Sequence, residues 1–239
     1  MSRVMSEALI GIVILLCACA QAQNITVSAH VKVIDNNLSS ESLHAENVVV
    51  WLTPIGTGPT AKFVPKQPLV LTQHHKSFEP HLLVVPVGAV VQFPNRDTFF
   101  HNVFSLFEGK RFDLGLYEAG TSRNVSFDRP GISFIFCNIH AEMSAIVVAL
   151  DTPYYGISNR KGEVVIPGVP PGHYTLKTWA ETVLPENLNA LTREVTVSDG
   201  SSSLGILEIT AGMVSTAHKN KFGMDYEPPA PDSPGYQHP

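Results

Sequence analysis

Charged side chains are scarce in this sequence of 239 residues, and no excess of positive charge is present. Asp, Glu, Lys and Arg together make up 15% of the chain, and the formal net charge is −5. Without a basic stripe the protein cannot neutralise many phosphates, so the composition argues against nucleic acid as a partner. Hydrophobic residues reach 44%, which is enough for a packed core and argues against wholesale disorder.

Long hydrophobic runs are missing as well. One short apolar run, residues 8–18, follows the positive charge of Arg3 and precedes small residues. It is too short to span a bilayer, and its layout is typical of a secretory signal peptide. We therefore predict a signal peptide at residues 1–22, no membrane span, and a mature protein that is periplasmic or secreted. Cys19 lies in a weak lipobox-like string and offers a less favoured alternative, a lipoprotein.

Cysteine is equally scarce. The chain has three cysteines, and two of them, Cys17 and Cys19, lie in the predicted signal peptide. Cys137 is then the one cysteine of the mature protein, and it cannot form an internal disulfide. A lone thiol in an oxidising compartment is typical of a reactive or metal-bound cysteine, although a buried and inert cysteine is the simpler alternative.

Helical periodicity is almost absent, since only residues 185–191 could make a turn or two of helix. The rest of the mature chain alternates between short β-branched or aromatic segments and Gly, Pro, Asn or Asp turns. The predicted strands of its first part are residues 25–33, 47–52, 81–85, 89–93, 102–106, 122–127, 132–137 and 145–150. Strands at this close spacing predict an all-β protein built as a sandwich or barrel.

A second strand-rich block covers residues 154–209, with turn sequences at 159–162 and 167–172. After Gly212 the sequence becomes polar, and its last residues are rich in proline. Such a composition cannot bury enough apolar surface to fold. Residues 213–239 are therefore predicted to be a disordered tail.

The main chemical signal is the string Cys137-x2-His140-x2-Met143, which lies between two apolar strands. Thiolate, imidazole and thioether are ligand types that copper prefers, and a short loop can bring all three to one point. A fourth ligand must come from a neighbouring strand, and His101 at a strand start fits. This set predicts one type 1 (blue) copper site with a weak axial methionine. Zinc is disfavoured because thioether is not among its usual ligands, whereas Glu142 could replace Met143.

Signatures of other chemistry are missing. The sequence has no His-x-His pair of the kind expected in clustered copper sites, no recognisable Ser/His/Asp set and no Gly-rich phosphate loop. We therefore predict that the protein is not an enzyme. His74, His75 and His81 leave a second, weaker metal site open, but solvated loop residues explain them more simply.

The copper string resembles the copper loop of the cupredoxins, with a short His-to-Met spacing like that of amicyanin. Residues 78–151 are similar to bacterial plastocyanin-like proteins that are often labelled methylamine utilization proteins. The motifs that carry this resemblance are Phe93-Pro94-Asn95-x-Asp97, His101-Asn102-Val103, Phe112-Asp113-Leu114, Phe127-Asp128-x-Pro130-Gly131 and Cys137-Asn138-Ile139-His140. The resemblance implies a Greek-key β-sandwich that binds copper and transfers one electron in the periplasm.

The resemblance also implies a role for individual residues. His101, Cys137 and His140 would be the equatorial copper ligands, and Met143 would be the axial one. Asn102 would tie the two ligand loops together.

The hypothesis of an electron carrier predicts a partner surface. A redox partner protein would meet an exposed His140 edge that is ringed by apolar residues such as Phe99, Phe100 and Ile139. Two alternatives remain open at this point. The protein could store or deliver copper with the same ligands, or it could be an extracellular interaction module whose copper site is vestigial.

Residues 152–212 resemble the carboxypeptidase regulatory-like, or transthyretin-like, β-sandwich. The matching segments are Gly162-Glu163-Val164-Val165-Ile166, Val169-Pro170-Pro171-Gly172-x-Tyr174-x-Leu176 and Trp179. That family opens with two strands that are not adjacent here, and residues 24–60 contain two spare ones. We therefore predict that residues 24–60 and 152–212 form one small sandwich, with a cupredoxin domain inserted at 61–151. The alternative is that residues 24–60 belong to the cupredoxin domain.

The nested arrangement makes a prediction about side chains. Successive residues of a strand point to opposite faces, so every second residue shares a face. The residues expected to share one core are Val48, Val50, Leu52, Val165, Tyr174 and Leu176.

Overall fold

The computed structural model describes residues 24–34, 45–56, 62–106, 109–210 and 218–226. Its elements are β1 (Ile25–Ile34), β2 (Val49–Pro54), β3 (Thr72–His74), β4 (Ser77–Glu79), β5 (Leu82–Pro86), β6 (Ala89–Pro94), β7 (His101–Ser105), β8 (Phe112–Tyr117), β9 (Ser122–Phe127), β10 (Gly131–Cys137), β11 (Ser144–Leu150), β12 (Tyr155–Ile157), β13 (Glu163–Val169), β14 (Gly172–Trp179), α1 (Pro185–Ala190), β15 (Arg193–Val197) and β16 (Ser203–Thr210). The prediction of an all-β protein is confirmed. The predicted signal peptide at residues 1–22 lies outside the described residues. Among those residues, no helix has the length and apolar character needed to cross a membrane.

Alternating burial shows why these segments are strands. In β1 every second side chain from Ile25 to Val31 is buried, and the residues between these buried positions face solvent. The eight strands predicted for the first part of the chain are all present, with shifts of at most two residues. β3, β4 and β8 were not predicted, because the first two are short and polar and Gly115 interrupts the apolar pattern of the third.

The strands from β3 to β11 enclose one core. Five of them form a sheet in the order β5-β11-β10-β7-β8, and the pairs β3–β4 and β6–β9 form two further ladders. The buried apolar residues of this core are Leu71, Phe78, Leu83, Val85, Val91, Phe93, Val103, Tyr117, Val125, Phe127, Ile135, Cys137, Met143, Ala145, Val147 and Ala149. Because β10 pairs with β7, Cys137 at the end of β10 lies opposite Val103. The start of β7 and the end of β10 therefore meet at one end of the sheet.

The two N-terminal strands pair with strands from the last third of the chain. β1 lies between β13 and β16, and β2 lies between β12 and β14, which also pairs with β15. Ala29 is opposite Val164, and Leu52 is opposite Leu176. Within the described residues, neither β1 nor β2 pairs with a strand from residues 61–151. Where one domain ends and the next begins stays a prediction.

A second core lies between these two sheets. Five of the predicted residues are buried in it together: Val48, Val50, Leu52, Tyr174 and Leu176. The prediction for Val165 is wrong, because its side chain is 55% exposed. Val164 and Ile166 fill the core instead. The error is one of register, since a shift of one residue moves a side chain to the other face of the sheet.

The turn before β13 packs directly on β1. Gly162 has a φ of +79°, and its carbonyl accepts a hydrogen bond of 2.7 Å from the backbone N–H of Val31. A Cβ atom at Gly162 would collide with the carbonyl oxygen of Val31. The backbone conformation and the close approach both require glycine at this position.

A third apolar cluster joins the two cores. Its buried members are Val49, Leu82, Val84, Ile146, Val148, Leu150 and Tyr155. A polar contact lies beside it, where Nε2 of His81 is 2.7 Å from Oε2 of Glu181 and Nδ1 of His81 is 3.1 Å from the carbonyl oxygen of Ser144. The sheet that contains β5 and β11 is thus covered by residues of β2 and β12.

Residues 218–226 fall in the range that we expected to be a disordered tail, and the structure departs from that expectation here. His218, Lys221 and Tyr226 contact the end of β10 and the loop that follows it. The composition of the tail did not indicate this contact. A few specific hydrogen bonds and one ring stack hold the segment, and it has no periodic apolar face that a sequence pattern could reveal. Residues 213–217 and 227–239 lie outside the described residues.

Candidate metal centre

The loop between β10 and β11 is short and closed on itself. The backbone N–H of Cys137 donates to the carbonyl of Met143 over 3.2 Å, and the N–H of Met143 donates to the carbonyl of His140, also over 3.2 Å. The N–H of Asn138 donates to the carbonyl of Asn102 on β7 over 2.8 Å. These bonds fix residues 137–143, which we call the ligand loop, against the start of β7.

Three of the four predicted ligands meet at one point. The Sγ atom of Cys137 lies 3.6 Å from Nδ1 of His101 and 3.5 Å from Nδ1 of His140. All three side chains are buried, and their ligand atoms lie within 4.8 Å of one another. Among the described residues, this is the one group of three or more His, Cys, Asp or Glu side chains placed to hold a metal ion.

The fourth predicted ligand lies in the same core. Met143 is fully buried and belongs to the apolar cluster that contains Cys137. Glu142, the alternative fourth ligand, is exposed. An exposed carboxylate next to a buried thioether favours Met143 as the axial donor, and the ligand assignment itself stays a prediction.

A buried carboxylate orients His101. Its Nε2 atom lies 2.8 Å from Oδ2 of Asp97, four residues earlier in the chain. Burial lowers the pKa of His101, and the carboxylate offsets this only in part. A neutral His101 therefore donates its Nε2 proton to Asp97 and leaves the lone pair of Nδ1 directed at the thiol. A metal ion in the site would bind to this lone pair.

The hairpin β3–β4 holds Asp97 in turn. Its oxygens accept hydrogen bonds from the backbone N–H groups of His75, at 2.6 Å, and Lys76, at 3.1 Å. These two residues have φ of +52° and +54°, and this conformation directs both N–H groups towards the same carboxylate. Burial raises the pKa of Asp97, but the hydrogen bonds from His101, Lys76 and His75 outweigh it and leave this pKa below its ordinary value. Asp97 is thus an ionised acceptor with three donors.

Burial shifts the pKa values of His140 and Cys137 in the directions that favour a neutral imidazole and a neutral thiol. Burial and the neighbouring His101 lower the pKa of His140 to about 4. Burial raises the pKa of the Cys137 thiol, and backbone amides, including that of Asn102, oppose this only in part. A cation that entered the site would meet two imidazole lone pairs and would displace one thiol proton.

Asn102 ties the ligand loops together, although its backbone makes the direct contact. Its carbonyl accepts from Asn138, whereas its side-chain Nδ2 donates to Oδ1 of Asp113 on β8 over 2.7 Å. Burial raises the pKa of Asp113, and the hydrogen bonds of Lys221, Asn102 and Gly115 outweigh it and lower this pKa. The side chain of Asn102 thus braces β7 against β8.

The His140 edge is less exposed than predicted. The side chain of His140 is buried and only 6% exposed, because the ring of Phe99 packs against it at 5.5 Å between centroids. Two of the residues expected in the apolar rim are exposed, Phe100 at 50% and Ile139 at 38%. The accessible apolar surface is therefore that of Phe100 and Ile139 and not that of the imidazole.

The other histidines named from the sequence do not converge. The rings of His74 and His75 contact each other in a tilted arrangement with centroids 3.7 Å apart, while His81 pairs with Glu181 beside a different cluster. The residues that sequence reasoning missed are Asp97, Lys221 and Tyr226. Asp97 was part of a recognised sequence motif before His101, but the motif did not indicate what the residue does. No local sequence pattern indicated Lys221 or Tyr226.

Solved structures that are similar to this chain include three copper proteins. A purple cupredoxin from Nitrosopumilus maritimus is 25% identical at a TM-score of 0.29, over 32% of this chain and 84% of the cupredoxin. A copper-containing nitrite reductase from Thermus scotoductus SA-01 is 22% identical at a TM-score of 0.33, over 50% of this chain and 28% of the reductase. An amicyanin variant in its Cu(I) form is 21% identical at a TM-score of 0.32, over 34% of this chain and 80% of amicyanin. No family model and no curated protein matches the chain, and TM-scores this low support no conclusion about function.

Proposed function

We propose that this protein binds one copper ion in a type 1 site and transfers single electrons. The observation that carries the proposal is the buried position of the Cys137 thiol, with Nδ1 of His101 at 3.6 Å and Nδ1 of His140 at 3.5 Å. One thiolate, two imidazoles and a weak thioether from Met143 are the donor set of a blue electron-transfer site. Bound copper would supply a one-electron couple between Cu(I) and Cu(II).

The residues around the thiol are suited to electron transfer because they are braced on several sides. Asp97 fixes the ring of His101, and Asn102 fixes the start of the ligand loop. Phe99 contacts both imidazoles, with ring centroids at 5.2 Å from His101 and 5.5 Å from His140. A site whose ligands cannot move far changes little in geometry when its charge changes, and the partly buried ring of Phe99 packs against both imidazoles.

The partner would be a redox protein with an apolar contact surface. Phe100 and Ile139 are exposed, and they directly follow or precede Phe99 and His140, whose rings are in contact. A partner that covers these two side chains would come close to the site without displacing a ligand. We therefore propose an electron carrier and not an enzyme.

Domain organisation and location belong to the same proposal. The pairing of β1 with β13 and β16, and of β2 with β12 and β14, supports one sandwich made of residues 24–60 and 152–212 with the copper domain inserted at 61–151. An exported copper protein would have the signal peptide that we expect at residues 1–22. The family of the small sandwich rests on sequence resemblance alone.

Voltammetry of the copper-loaded protein separates the electron carrier from a copper store. An electron carrier should show a reversible one-electron wave. In a second measurement, a strong chelator is added to the reduced protein, and the carrier should keep its copper. A store or delivery protein would give up Cu(I) to the chelator within the time of mixing. Loss of the metal on reduction, or a wave that is equally present in Cys137→Ser, would contradict electron transfer at this site.

A further inference from the structure

Residues 218–226, which we call the C-terminal strap, lie against the ligand loop. The ring of His218 stacks on the ring of Phe136, with centroids 3.9 Å apart and an interplanar angle of 25°. Phe136 directly precedes Cys137. The strap therefore covers the end of β10 at the point where the predicted cysteine ligand emerges.

Tyr226 contacts the backbone of Cys137 itself. Its hydroxyl donates a 2.7 Å hydrogen bond to the carbonyl oxygen of Cys137, and Nδ1 of His218 lies 3.1 Å from the same hydroxyl. The hydroxyl is the donor in the first of these bonds, because a carbonyl oxygen can only accept.

The hydrogen bond of Tyr226 completes a clamp on one peptide group. The carbonyl of Cys137 and the N–H of Asn138 belong to the same planar peptide unit. Tyr226 holds the carbonyl, and the carbonyl of Asn102 accepts from the N–H at 2.8 Å. With both ends held, the peptide plane cannot rotate freely. Its orientation sets the direction in which the ligand loop leaves Cys137.

Lys221 joins the strap to both ligand segments. Its backbone N–H donates to Oδ1 of Asn138 over 2.9 Å, and its Nζ donates to Oδ2 of Asp113 over 2.7 Å. The other oxygen of Asp113 accepts from Nδ2 of Asn102 over 2.7 Å. One strap residue is therefore linked to the ligand loop directly and to β7 through one carboxylate.

The strap also has its own internal order. Oδ1 of Asn220 accepts from the backbone N–H groups of Phe222, at 2.9 Å, and Met224, at 3.1 Å. The N–H of Asn220 donates to the carbonyl of Met224 over 2.9 Å. A segment that closes its own turn loses less conformational freedom when it docks on the loop.

We propose that the C-terminal strap is part of the copper centre, with Tyr226 and Lys221 as positioning residues that preorganise the ligand loop. This inference rests on the proposed function and deepens it. Tyr226 acts through the backbone carbonyl of Cys137, and Lys221 acts through Asn138 with its backbone and through Asp113 with its side chain. A preorganised loop holds the thiolate in place in either oxidation state and slows the escape of the metal.

A matched pair of tyrosine variants tests the inference. Tyr174 also donates its hydroxyl to a backbone carbonyl over 2.7 Å, to Pro170 in the other core. Both Tyr226→Phe and Tyr174→Phe remove one such hydrogen bond and keep the ring. Loss of copper from the Cu(II)-loaded full chain to excess EDTA should be about two- to tenfold faster in Tyr226→Phe, as expected for one net hydrogen bond, and unchanged in Tyr174→Phe.

Two further readouts separate positioning from mere stability. The thiolate-to-copper absorption band should shift in position or relative intensity in Tyr226→Phe only, because the orientation of Cys137 changes. In the metal-free protein, amide hydrogen exchange at Asn138 should become faster in Tyr226→Phe and stay the same in Tyr174→Phe.

Lysine variants give an independent check. Lys221→Met breaks the contact with Asp113, and Lys110→Met breaks the comparable exposed pair with Asp128 at 2.9 Å. Only the first should speed copper loss and exchange at Asn138. The inference is overturned if Tyr226→Phe and Lys221→Met match their controls in both measurements. If the unaltered protein lacks a thiolate-to-copper band, the proposed function fails, and the hydrogen-exchange comparison still decides whether the strap orders the loop.

Discussion

Nε2 of His101 lies 2.8 Å from Oδ2 of Asp97, and both side chains are buried. The carboxylate fixes which nitrogen of the imidazole carries the proton, so Nδ1 is left unprotonated at 3.6 Å from Sγ of Cys137. Carboxylates in this position raise the basicity of a metal-binding histidine and restrict rotation of its ring. Asp97 is therefore expected to contribute to copper affinity without contacting the metal.

Replacing Asp97 with asparagine should weaken copper binding about 10- to 100-fold, the usual effect of losing such a partner. A competition titration against a chelator of known affinity measures the change. Asp128→Asn is the control, because Asp128 is exposed and forms an ion pair with Lys110 at 2.9 Å. Equal affinities in the two variants would show that the contact between Asp97 and His101 has no role in binding.

The candidate ligands in the loop could be named from the sequence because they are local in it. Cys137, His140 and Met143 lie in one closed loop, and the ligand types alone limit the metal. His101 was also within reach, since a histidine at a strand start can face a loop on the neighbouring strand. The sequence alone was therefore enough to group these four residues as candidate ligands of one site.

The supporting contacts could not be predicted because they are tertiary. Asp97 is held by the turn at His75 and Lys76, whose polar hairpin shows no alternating apolar pattern. Tyr226 reaches Cys137 across 89 residues from a segment with the composition of a tail. Val165 was assigned to the wrong face because two adjacent valines fit either register, and only the pairing of β13 with β1 decides between them.

Met143 should tune the reduction potential of the site without being needed for its colour. Met143→Leu removes the weak axial donor, which stabilises Cu(II) more than Cu(I), so the reduction potential should rise while the absorption band remains. Glu142→Gln is the matched control, because Glu142 is adjacent in sequence but exposed. A shift of the potential in Glu142→Gln, with none in Met143→Leu, would assign the fourth ligand to the carboxylate.

The contact between His81 and Glu181 should make stability depend on pH. The hydrogen bond from Glu181 raises the pKa of His81 above its ordinary value, against the opposing effect of burial. The pair therefore stabilises the fold fully below the unfolded pKa of about 6.5, and this contribution is lost as the pH rises through the raised folded value. Because both side chains are partly exposed, the effect should stay below about 1 kcal/mol.

Urea unfolding of the unaltered protein and of Glu181→Gln checks this at about pH 5.5 and about pH 8.5. The unaltered protein should be the more stable of the two at the lower pH, and the difference should shrink at the higher pH. Glu194→Gln, at an exposed position of β15, should show no such dependence. A difference that grows with pH would contradict the contribution assigned to the pair.

The packing of the turn at Gly162 on β1 can be tested with two glycine substitutions. Gly162 and Gly168 have φ of +79° and +73°, so alanine at either position costs about 1–2 kcal/mol in backbone strain. Only at Gly162 would the new Cβ also meet the carbonyl oxygen of Val31. Gly162→Ala should therefore lower the free energy of unfolding by about 1–3 kcal/mol more than Gly168→Ala. Equal losses would argue against the docking of β1 on β13.

The visible spectrum of the Cu(II)-loaded protein tests the copper site most directly. If Cys137, His101 and His140 bind the metal together, one equivalent of Cu(II) should produce an intense thiolate-to-copper absorption at about 600 nm. Cys137→Ser should abolish that band, because serine cannot supply the thiolate. A colourless Cu(II) complex of the unaltered protein, or a band that survives in Cys137→Ser, would contradict the proposed blue copper centre.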